Sequence, residues 1–332
     1  MYFWKIAFAV MAALAIAANA SAQSTGKAST ESDARYPVKP IRLISAFAPG
    51  GGASIVARMI APELMEAWGK PVVVDNRPGA GGAIGTEIGA RARPDGYTLL
   101  MATASTIVIN PLIFKVPFDP INHFTPIIHT STVPLILVVH PSVPAKTVKE
   151  LIAYGQSAGA KLNFSSSGEG TITHLAGELL KNLTKMDMVH VPYKGGGQAV
   201  IDLMAGHVQT GFMNILEGLP QVNAGRLRAL AVSTTKRSLV IPNLPTMVEA
   251  GVPNYEVIQW NGVMAPAGLP KEITTKLNTE IARILARPDM RERMISSGAD
   301  PGGGSAEQFG SFIKSEIAKW SELVKSVNLN QR

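Results

Sequence analysis

The chain has 332 residues, a formal net charge of +7 and no cysteine. Without cysteine, neither a disulfide framework nor a lipid anchor on a cysteine is possible, so the core alone must stabilise the fold. The basic residues are scattered, with no run of five or more and no basic patch interleaved with aromatic residues, which argues against nucleic-acid binding, whereas a mildly positive surface suits the approach of small anions.

The first residues predict secretion. Residues 1–5 carry one positive charge, residues 6–18 are all apolar, and Ala20-Ser21-Ala22 has the small-x-small pattern of a cleavage site. An apolar run of this length is too short to span a bilayer comfortably. We therefore expect residues 1–22 to be a Sec-type signal peptide and the mature protein to be periplasmic. Residues 23–35, rich in Ser, Thr and charged side chains, are predicted to be a flexible N-terminal segment.

After this segment, short β-type runs alternate with stretches of helical apolar periodicity. The first unit is predicted to contain strands at residues 41–47, 72–74 and 97–102, with helices at residues 54–68 and 83–93 between them. This order of elements is typical of a parallel sheet with right-handed crossovers.

A second unit of the same kind begins near Pro134. A capping box at Thr147 and Glu150 opens its first helix, which should end at Ser157. The other elements predicted in this unit are strands at residues 135–139, 162–165, 188–191, 208–212 and 229–233 and helices at residues 173–183 and 198–205. A β-run at residues 258–265 and helices at residues 271–286, 288–297 and 306–327 are predicted to complete the chain.

Three glycine-rich or serine-rich loops suggest an anion site. Ligands bind to open parallel sheets beyond the carboxyl ends of the strands, where the strand order reverses. If the first unit is wound 2-1-3, the loops at residues 48–53 and 103–106 flank that point. Three glycines in the first of these loops expose backbone N–H groups at the start of a helix, which favours an anion. The loops at residues 165–171 and 194–197 have the same design, so we predict a cleft that holds an anion from both sides, although each loop alone is also compatible with a structural turn.

The anion is predicted to be a carboxylate. No stretch completes G-x-x-x-x-G-K-[ST], and both candidates for G-x-G-x-x-G fail at their last position, at Ile55 and Ile84. A carboxylate needs only two or three backbone N–H groups and a hydroxyl. No H-E-x-x-H motif is present, and the G-x-S-x-G match at residues 155–159 lies at the end of a predicted helix and not at a strand-to-helix turn, so we expect no metal, no cofactor and no catalytic residues. A periplasmic, hydrolase-like enzyme that acts on a small carboxylic acid through His174 or Glu169 stays open as the alternative.

Seven short motifs along the mature chain carry a resemblance to a known family. They are YPVKPIR at residues 36–42, APGGG at residues 48–52 with Arg58, NRPGAGG at residues 76–82, PDGYTLL at residues 94–100, SSG at residues 166–168 with His174 and Leu175, VPYKG at residues 191–195, and APAGLP at residues 265–270. With these motifs the chain resembles the substrate-binding receptors of tripartite tricarboxylate transporters, which are often called Bug-type or TctC-like proteins.

This resemblance implies both a fold and a function. We expect an α/β protein of the two-lobed, Venus-flytrap, type II periplasmic binding-protein class, in which each lobe is a mostly parallel sheet flanked by helices and the chain crosses between the lobes twice. Lobe 1 should comprise residues 36–133 and 259–332, and lobe 2 residues 134–258. The receptor should be a monomer and not an enzyme. It should capture a small carboxylate in the cleft for membrane permease subunits, or present it to a sensor kinase.

The resemblance also places the ligand carboxylate between the loops at residues 50–54 and 167–171, held partly through backbone N–H groups and water. With the neighbouring strand ends and aromatic side chains, the candidate ligand-binding residues are Phe47, Pro49, Gly50, Gly51, Gly52, Ala53, Ser54, Ser105, Ser166, Ser167, Gly170, Thr171, Tyr193, Lys194, Gly195, Met213, Asn214 and Trp260.

Two departures from the family pattern bear on the ligand. This chain has Ala53-Ser54 where the family commonly has Thr-Asp, and Phe212-Met213 where it often has Phe-Asp. A buried ammonium needs an acidic partner or several acceptors. Because neutral residues replace both acids, the ligand should be an amine-free mono- or dicarboxylate, with an aromatic or otherwise apolar body as one option.

Overall fold

The computed structural model describes residues 36–157 and 162–326, so the predicted signal peptide and the N-terminal segment at residues 23–35 lie outside the described residues. Strands β1 (Ile41–Ser45), β2 (Val72–Asn76) and β3 (Thr98–Thr103) pair in parallel in the order β2-β1-β3. Helices α1 (Gly52–Trp68) and α2 (Ala83–Ala90) connect them. The predicted 2-1-3 winding is confirmed, so the loops after β1 and β3 meet at the same edge of the sheet.

Helix α1 illustrates why this unit folds as its sequence predicts. Val56, Ile60 and Leu64 recur every fourth residue, so they lie on one face of the helix, and all three are buried where α1 contacts the sheet. Burial of each such side chain contributes about 1.5–3 kcal/mol. The helix ends at Gly69, whose left-handed conformation (φ 60°) lets its N–H donate to Met65 O.

Two long strands, β4 (Phe124–Val139) and β9 (Ile258–Pro266), extend the first sheet. Strand β9 pairs antiparallel with β3, β4 pairs antiparallel with β9, and β10 (Asp300–Gly303) pairs antiparallel with β4. The C-terminal helices that contact β4 and β10 are α8 (Lys271–Ala286), α9 (Pro288–Ser297) and α10 (Ala306–Ser326).

The second lobe is built on the C-terminal part of β4 and on four further strands, β5 (Asn163–Ser166), β6 (Val189–Pro192), β7 (Thr210–Asn214) and β8 (Arg228–Val232). These strands lie in the order β8-β4-β7-β5-β6. The helices of this lobe are α4 (Val148–Gln156), α5 (Ile172–Thr184), α6 (Gly196–Met204) and α7 (Ile215–Asn223). Strand β5 is parallel to β6 and β7, whereas β4 is antiparallel to β7 and β8. Among the described residues, no helix is both long and apolar enough to cross a membrane.

Strand β4 passes from one set of strands to the other within one residue. Pro134 pairs with Ile258 of β9, and the next residue, Leu135, pairs with β7. Buried Ser233, which follows β8, links both segments: its Oγ accepts a hydrogen bond from Leu135 N at 3.0 Å and donates one to Val257 O at 2.5 Å. One hydroxyl therefore joins the two crossing segments of the chain, with its donor and acceptor roles both used.

Several elements of the described residues are not predicted by the sequence pattern. They include the first part of β4 at residues 124–134, the 3₁₀ turn Ala80–Gly82, the π-helical turn Ala104–Ile109, the short helix α3 (Asn110–Ile113), strand β10 and helix α7. The first part of β4 contains Pro126 and the buried polar residues Thr130 and Ser131, which hide its strand pattern. Helix α7 follows β7 without a loop, so strand and helix form one apolar run that periodicity does not divide. The predicted helices at residues 271–286 and 288–297 are confirmed at both ends.

Candidate functional site

A narrow cavity of about 20 Å³, called the closed cavity below because all of its lining residues except Ser167 are buried, lies between the lobes, beyond the carboxyl ends of their strands. Its first-lobe wall comes from the loop after β1, the start of α1 and the turn after β3. Its second-lobe wall comes from the loops after β5 and β6 and from the junction of β7 and α7. A volume of this size holds about one water molecule. A small organic acid therefore enters this position only when the lobes separate.

The start of α1 forms the first-lobe side of the cavity. Gly51 is the N-cap residue and offers no side chain to the first N–H groups of the helix, which are left for an acceptor from elsewhere. A Cβ at Gly52 would lie 2.7 Å from Asn214 Nδ2 of the second lobe, so only glycine permits this approach of the two lobes. Buried Ser54 faces away from the cavity and accepts a hydrogen bond from Asn76 Nδ2 at 3.1 Å.

The start of α5 forms the opposite side of the cavity. Thr171 is its N-cap residue, and its Oγ1 accepts a hydrogen bond from His174 N at 3.4 Å. Ile172 N donates across the cleft to Ser105 Oγ of the first lobe at 2.9 Å. The loop at residues 165–171, called the serine loop below, is held in place by a hydrogen bond from Ser167 N to Thr173 Oγ1 at 2.9 Å. A side-chain oxygen of the first lobe therefore occupies the N-terminus of a second-lobe helix.

Glu217 of α7, which is not among the predicted site residues, makes the corresponding contact with the N-terminus of α1. Its Oε1 accepts hydrogen bonds from Gly52 N at 2.5 Å and from Asn214 Nδ2 at 3.0 Å. The side chain is buried and lines the cavity, and its Oε2 has no hydrogen-bond partner among the described residues. Burial raises the pKa of Glu217 to about 7, against the lowering effect of its two hydrogen bonds.

The two contacts give the cleft a reciprocal arrangement. The N-terminus of α1 in the first lobe is bound by an oxygen of Glu217, and the N-terminus of α5 in the second lobe is bound by an oxygen of Ser105. Each helix N-terminus carries about half a positive charge and favours an acceptor or an anion. The cleft thus presents two anion-binding helix ends from opposite sides, each in contact with an oxygen of the facing lobe.

A pair of histidines supports the serine loop from below. The rings of His174 and His190 stack with their centroids 3.9 Å apart, and His190 Nε2 lies 2.6 Å from Ser166 Oγ. Burial, with Lys181 nearby, lowers the pKa of His190 to about 4, so this ring is neutral near pH 7. Ser166 Oγ also contacts both N and O of Gly168, which fixes the loop. Within residues 36–157 and 162–326, no group of three His, Asp or Glu side chains is placed to hold a metal ion.

The structure distributes all but two of the predicted site residues over three positions. Those that line the closed cavity are Phe47, Gly51, Gly52, Ala53, Ser105, Ser167 and Asn214. Those that build the surrounding loops without lining it are Pro49, Gly50, Ser54, Ser166, Gly170, Thr171 and Gly195. Tyr193 and Lys194 line a second, open cavity of about 580 Å³ between the lobes, which Ser167 shares with the closed one. The wall of this open cavity also includes Phe114 and the turn at residues 79–84.

Trp260 and Met213 lie elsewhere, contrary to the sequence-based expectation. The Trp260 ring packs edge-on against Phe309 and Phe312 of α10, and its Nε1 donates to Glu316 at 3.2 Å. Met213 is buried in the core between α7 and β4. Alternate residues of a strand point to opposite faces, and in both cases the side chain points into the core and away from the cleft.

Comparison with known proteins fits this geometry. Residues 56–329 match the family described as "Tripartite tricarboxylate transporter family receptor". The chain belongs to this family. It is 36% identical over 304 residues to Protein BugT of Bordetella pertussis, which covers 91% of this chain and 93% of BugT. It is also 36% identical over 296 residues to a protein encoded between tcbD and tcbE in Pseudomonas sp. strain P51, covering 89% of this chain and 88% of that protein.

Solved structures of Bug-type, TctC-like receptors share the fold. An R. palustris protein solved with adipate has a TM-score of 0.87 and 36% identity, covering 90% of this chain and all of that one. The periplasmic binding protein BugD has a TM-score of 0.86 and 33% identity, with 90% and 100% coverage. MatC from Rhodopseudomonas palustris with bound malate has a TM-score of 0.83 and 31% identity, with 87% and 100% coverage. The chain is therefore a two-lobed receptor of the periplasmic solute-binding type.

Proposed function

We propose that this receptor captures a small carboxylate in its inter-lobe cleft in the periplasm and delivers it to the membrane permease of a tripartite tricarboxylate transporter. The observation that supports this most directly is the pair of helix N-termini, α1 and α5, that face the cavity from opposite lobes. Each is in contact with an oxygen acceptor, and the carboxylate oxygens of a ligand are acceptors of the same kind.

The binding energy requires the lobes to close on the ligand. A helix N-terminus contributes at most about 2 kcal/mol to a partly buried anion, so two supply about 4 kcal/mol. Micromolar binding needs about 8 kcal/mol. The remainder must come from hydrogen bonds and apolar burial in the closed cleft. We propose that lobe 1 (residues 36–133 and 259–332) and lobe 2 (residues 134–258) move about residues 130–134 and 257–260.

We further propose that the ligand is an amine-free mono- or dicarboxylate. The sequence-based argument assumed that no acid faces the cleft, and Glu217 shows that this assumption is wrong. The proposal is supported instead by the environment of that acid: Gly52 and Asn214 donate to its Oε1, and burial raises the pKa of Glu217 to about 7, which disfavours the ionised form that an ammonium group would need as a partner. Two structural relatives were solved with carboxylates that have no amino group, adipate and malate.

Native mass spectrometry and calorimetry test this proposal. The purified receptor should carry a small organic acid in a 1:1 ratio, and acid-free receptor should bind succinate more tightly than aspartate, which differs from succinate by an ammonium group. Tighter binding of aspartate would refute the amine-free ligand. Absence of binding to every small carboxylate tested would refute the proposed function itself.

The alternative of a hydrolase-like enzyme receives no support from the geometry of its candidate residues. His174 is buried beside His190, and its Nδ1 accepts a hydrogen bond from Gly170 N at 3.3 Å. Glu169 is exposed at the rim of the open cavity. Two relatives with solved structures are described as a periplasmic transporter and a periplasmic binding protein. We therefore expect no turnover of ester or amide derivatives of the bound acid.

A further inference from the structure

Glu217 is an acidic side chain at the place where an acidic ligand should bind. Its Oε1 is fully engaged by Gly52 N and Asn214 Nδ2, whereas its buried Oε2 has no hydrogen-bond partner among the described residues. A Cβ at Gly196, the first residue of α6, would overlap Oε2, so this oxygen also lies against the start of a third helix. The two oxygens of this cavity-lining side chain thus differ: Oε1 accepts two hydrogen bonds, and Oε2 accepts none from the described residues.

No cationic side chain balances this carboxyl among the described residues that line the closed cavity. Glu217 is the one titratable residue among the described residues that line the closed cavity, the others being apolar, amide, hydroxyl or glycine. The pKa of Glu217 is set by burial and by its two hydrogen bonds, with no charged group among the causes. An ionised Glu217 next to an ionised ligand would therefore place two negative charges in a nearly dry cavity, which is strongly unfavourable.

The charged groups on the helices packed against α7 are engaged elsewhere or, as with Glu66 of α1 and Asp289, Arg291 and Glu292 of α9, are exposed to solvent. On α1, Arg58 bonds to Asn76 and Glu63 pairs with Arg287 and Arg293, the latter on α9. On α6, Asp202 accepts from Tyr193 Oη and lies 3.6 Å from His207.

The remaining neighbouring elements add little charge near the carboxyl. His129, the titratable residue of β4, packs against Phe309 and Phe312, while β7 and the rest of α7 contain none. The charged residues at the rim of the open cavity are Glu87, Lys115, Glu169 and Lys194. All of them except Glu87 are exposed to solvent.

We propose, given the function proposed above, that Glu217 is a specificity-determining residue that couples carboxylate binding to proton uptake. A proton on Oε2 is donated to the ligand carboxylate, while Oε1 keeps its bonds to Gly52 and Asn214. The proton comes from solvent and stays shared between the two carboxyl groups in the closed cleft. An acid–carboxylate hydrogen bond of this kind is short and strong, and it gives the unpartnered oxygen a donor role.

The geometry sets the direction of the effect. Burial already raises the pKa of Glu217 to about 7, and an adjacent ligand carboxylate raises it further, because a like charge favours the protonated form. The apparent dissociation constant of a carboxylate should then rise about tenfold from pH 6 to pH 8. Close to one proton should be taken up per ligand at pH 8. An amine-bearing ligand held by ionised Glu217 would show the opposite trend.

Calorimetry with succinate, adipate and benzoate tests the proposal. Each probe is titrated into acid-free receptor at pH 6 and pH 8, in buffers of different ionisation enthalpy, so that the heat reports the number of protons exchanged. Glu217→Gln keeps the size of the side chain but does not titrate, and its ratio of dissociation constants between pH 8 and pH 6 should fall from about ten to about one. Because the variant receives the same probes, protonation of the probe itself cancels. Glu272→Gln removes an exposed acid of α8 and serves as the matched control that should keep the wild-type ratio.

The outcomes separate this proposal from the function on which it rests. Binding of a probe with proton uptake that is absent in Glu217→Gln supports it. Binding without proton uptake, or with the same pH dependence in Glu217→Gln, overturns it and leaves the receptor function intact. Affinity for aspartate that increases with pH and is lost in Glu217→Gln would show Glu217 to be an ammonium partner instead. Failure of all probes to bind at pH 6 would overturn both proposals.

Discussion

Glu217→Gln should flatten the pH dependence of folding stability between about pH 4.5 and pH 7. In the folded protein burial raises the pKa of this carboxyl to about 7, whereas the unperturbed value is 4.5. The folded state therefore holds the proton more tightly than the unfolded chain. The contribution of Glu217 to stability is fully present below pH 4.5 and is lost as pH rises through about 7. Glutamine carries no charge at any of these pH values, so the variant lacks this loss.

The size of the effect follows from the difference between the two pKa values. Each pKa unit corresponds to about 1.4 kcal/mol, so a shift of this size is worth about 3 kcal/mol over the full range. Between pH 5 and pH 8, the wild-type free energy of unfolding should fall by about 2–3 kcal/mol relative to that of Glu217→Gln. This is a large fraction of the 5–15 kcal/mol that is typical for a folded protein.

Urea unfolding at pH 5, 6, 7 and 8 measures this difference. Bound acids must first be removed by unfolding and dialysis, since a ligand stabilises the folded state by mass action. Glu272→Gln is the control that should follow the wild-type curve, because its carboxylate is exposed. Parallel curves for wild type and Glu217→Gln across this pH range would refute the reasoning, because they would show that Glu217 titrates normally in the folded state.

Three further predictions follow from the cleft and its surroundings. Ser105→Ala removes the acceptor of Ile172 N and should destabilise the closed form by about 1 kcal/mol. Small-angle scattering of the ligand-free protein should then give a larger radius of gyration, and an unchanged scattering curve would contradict this role of Ser105. Gly52→Ala places a Cβ against Asn214 and should weaken succinate binding at least tenfold in calorimetry at pH 6, while far-UV circular dichroism stays that of the wild type; wild-type affinity would contradict the close approach. Trp260→Phe should lower the free energy of unfolding by about 1–3 kcal/mol and leave the succinate affinity unchanged. A loss of succinate affinity would indicate that the Trp260 side chain contributes to the cleft.

The parts of the fold that follow local rules could be predicted from sequence. The face of α1 formed by Val56, Ile60 and Leu64 and the cap at Thr147 each depend on residues a few positions apart, and the structure contains both elements. The loops after β1 and β5 were predicted to face one cleft, and residues of both line the closed cavity. Local patterns succeed here because the physical cause is itself local.

The acid in the cleft could not be found in the same way. Glu217 lies in the sequence ILEGLP, and it meets Gly52 from 165 positions along the chain. The helix that carries it follows β7 without a turn signal, so its start is not visible. The prediction that Trp260 lies in the cleft is wrong for a related reason. Its strand is buried on both faces, so the sequence does not tell which face meets the cleft. Which residues contact the ligand stays a prediction.

The contact of Ser105 with the N-terminus of α5 makes its hydroxyl a tethered competitor of the ligand. An acid that binds at this helix end must displace the Ser105 oxygen from Ile172 N. Because this oxygen is attached to the lobe that faces the helix end, its effective concentration at that site is of millimolar order or higher. When the acid leaves, the Ser105 oxygen returns to Ile172 N, so the contact that limits the affinity for the acid also favours its release.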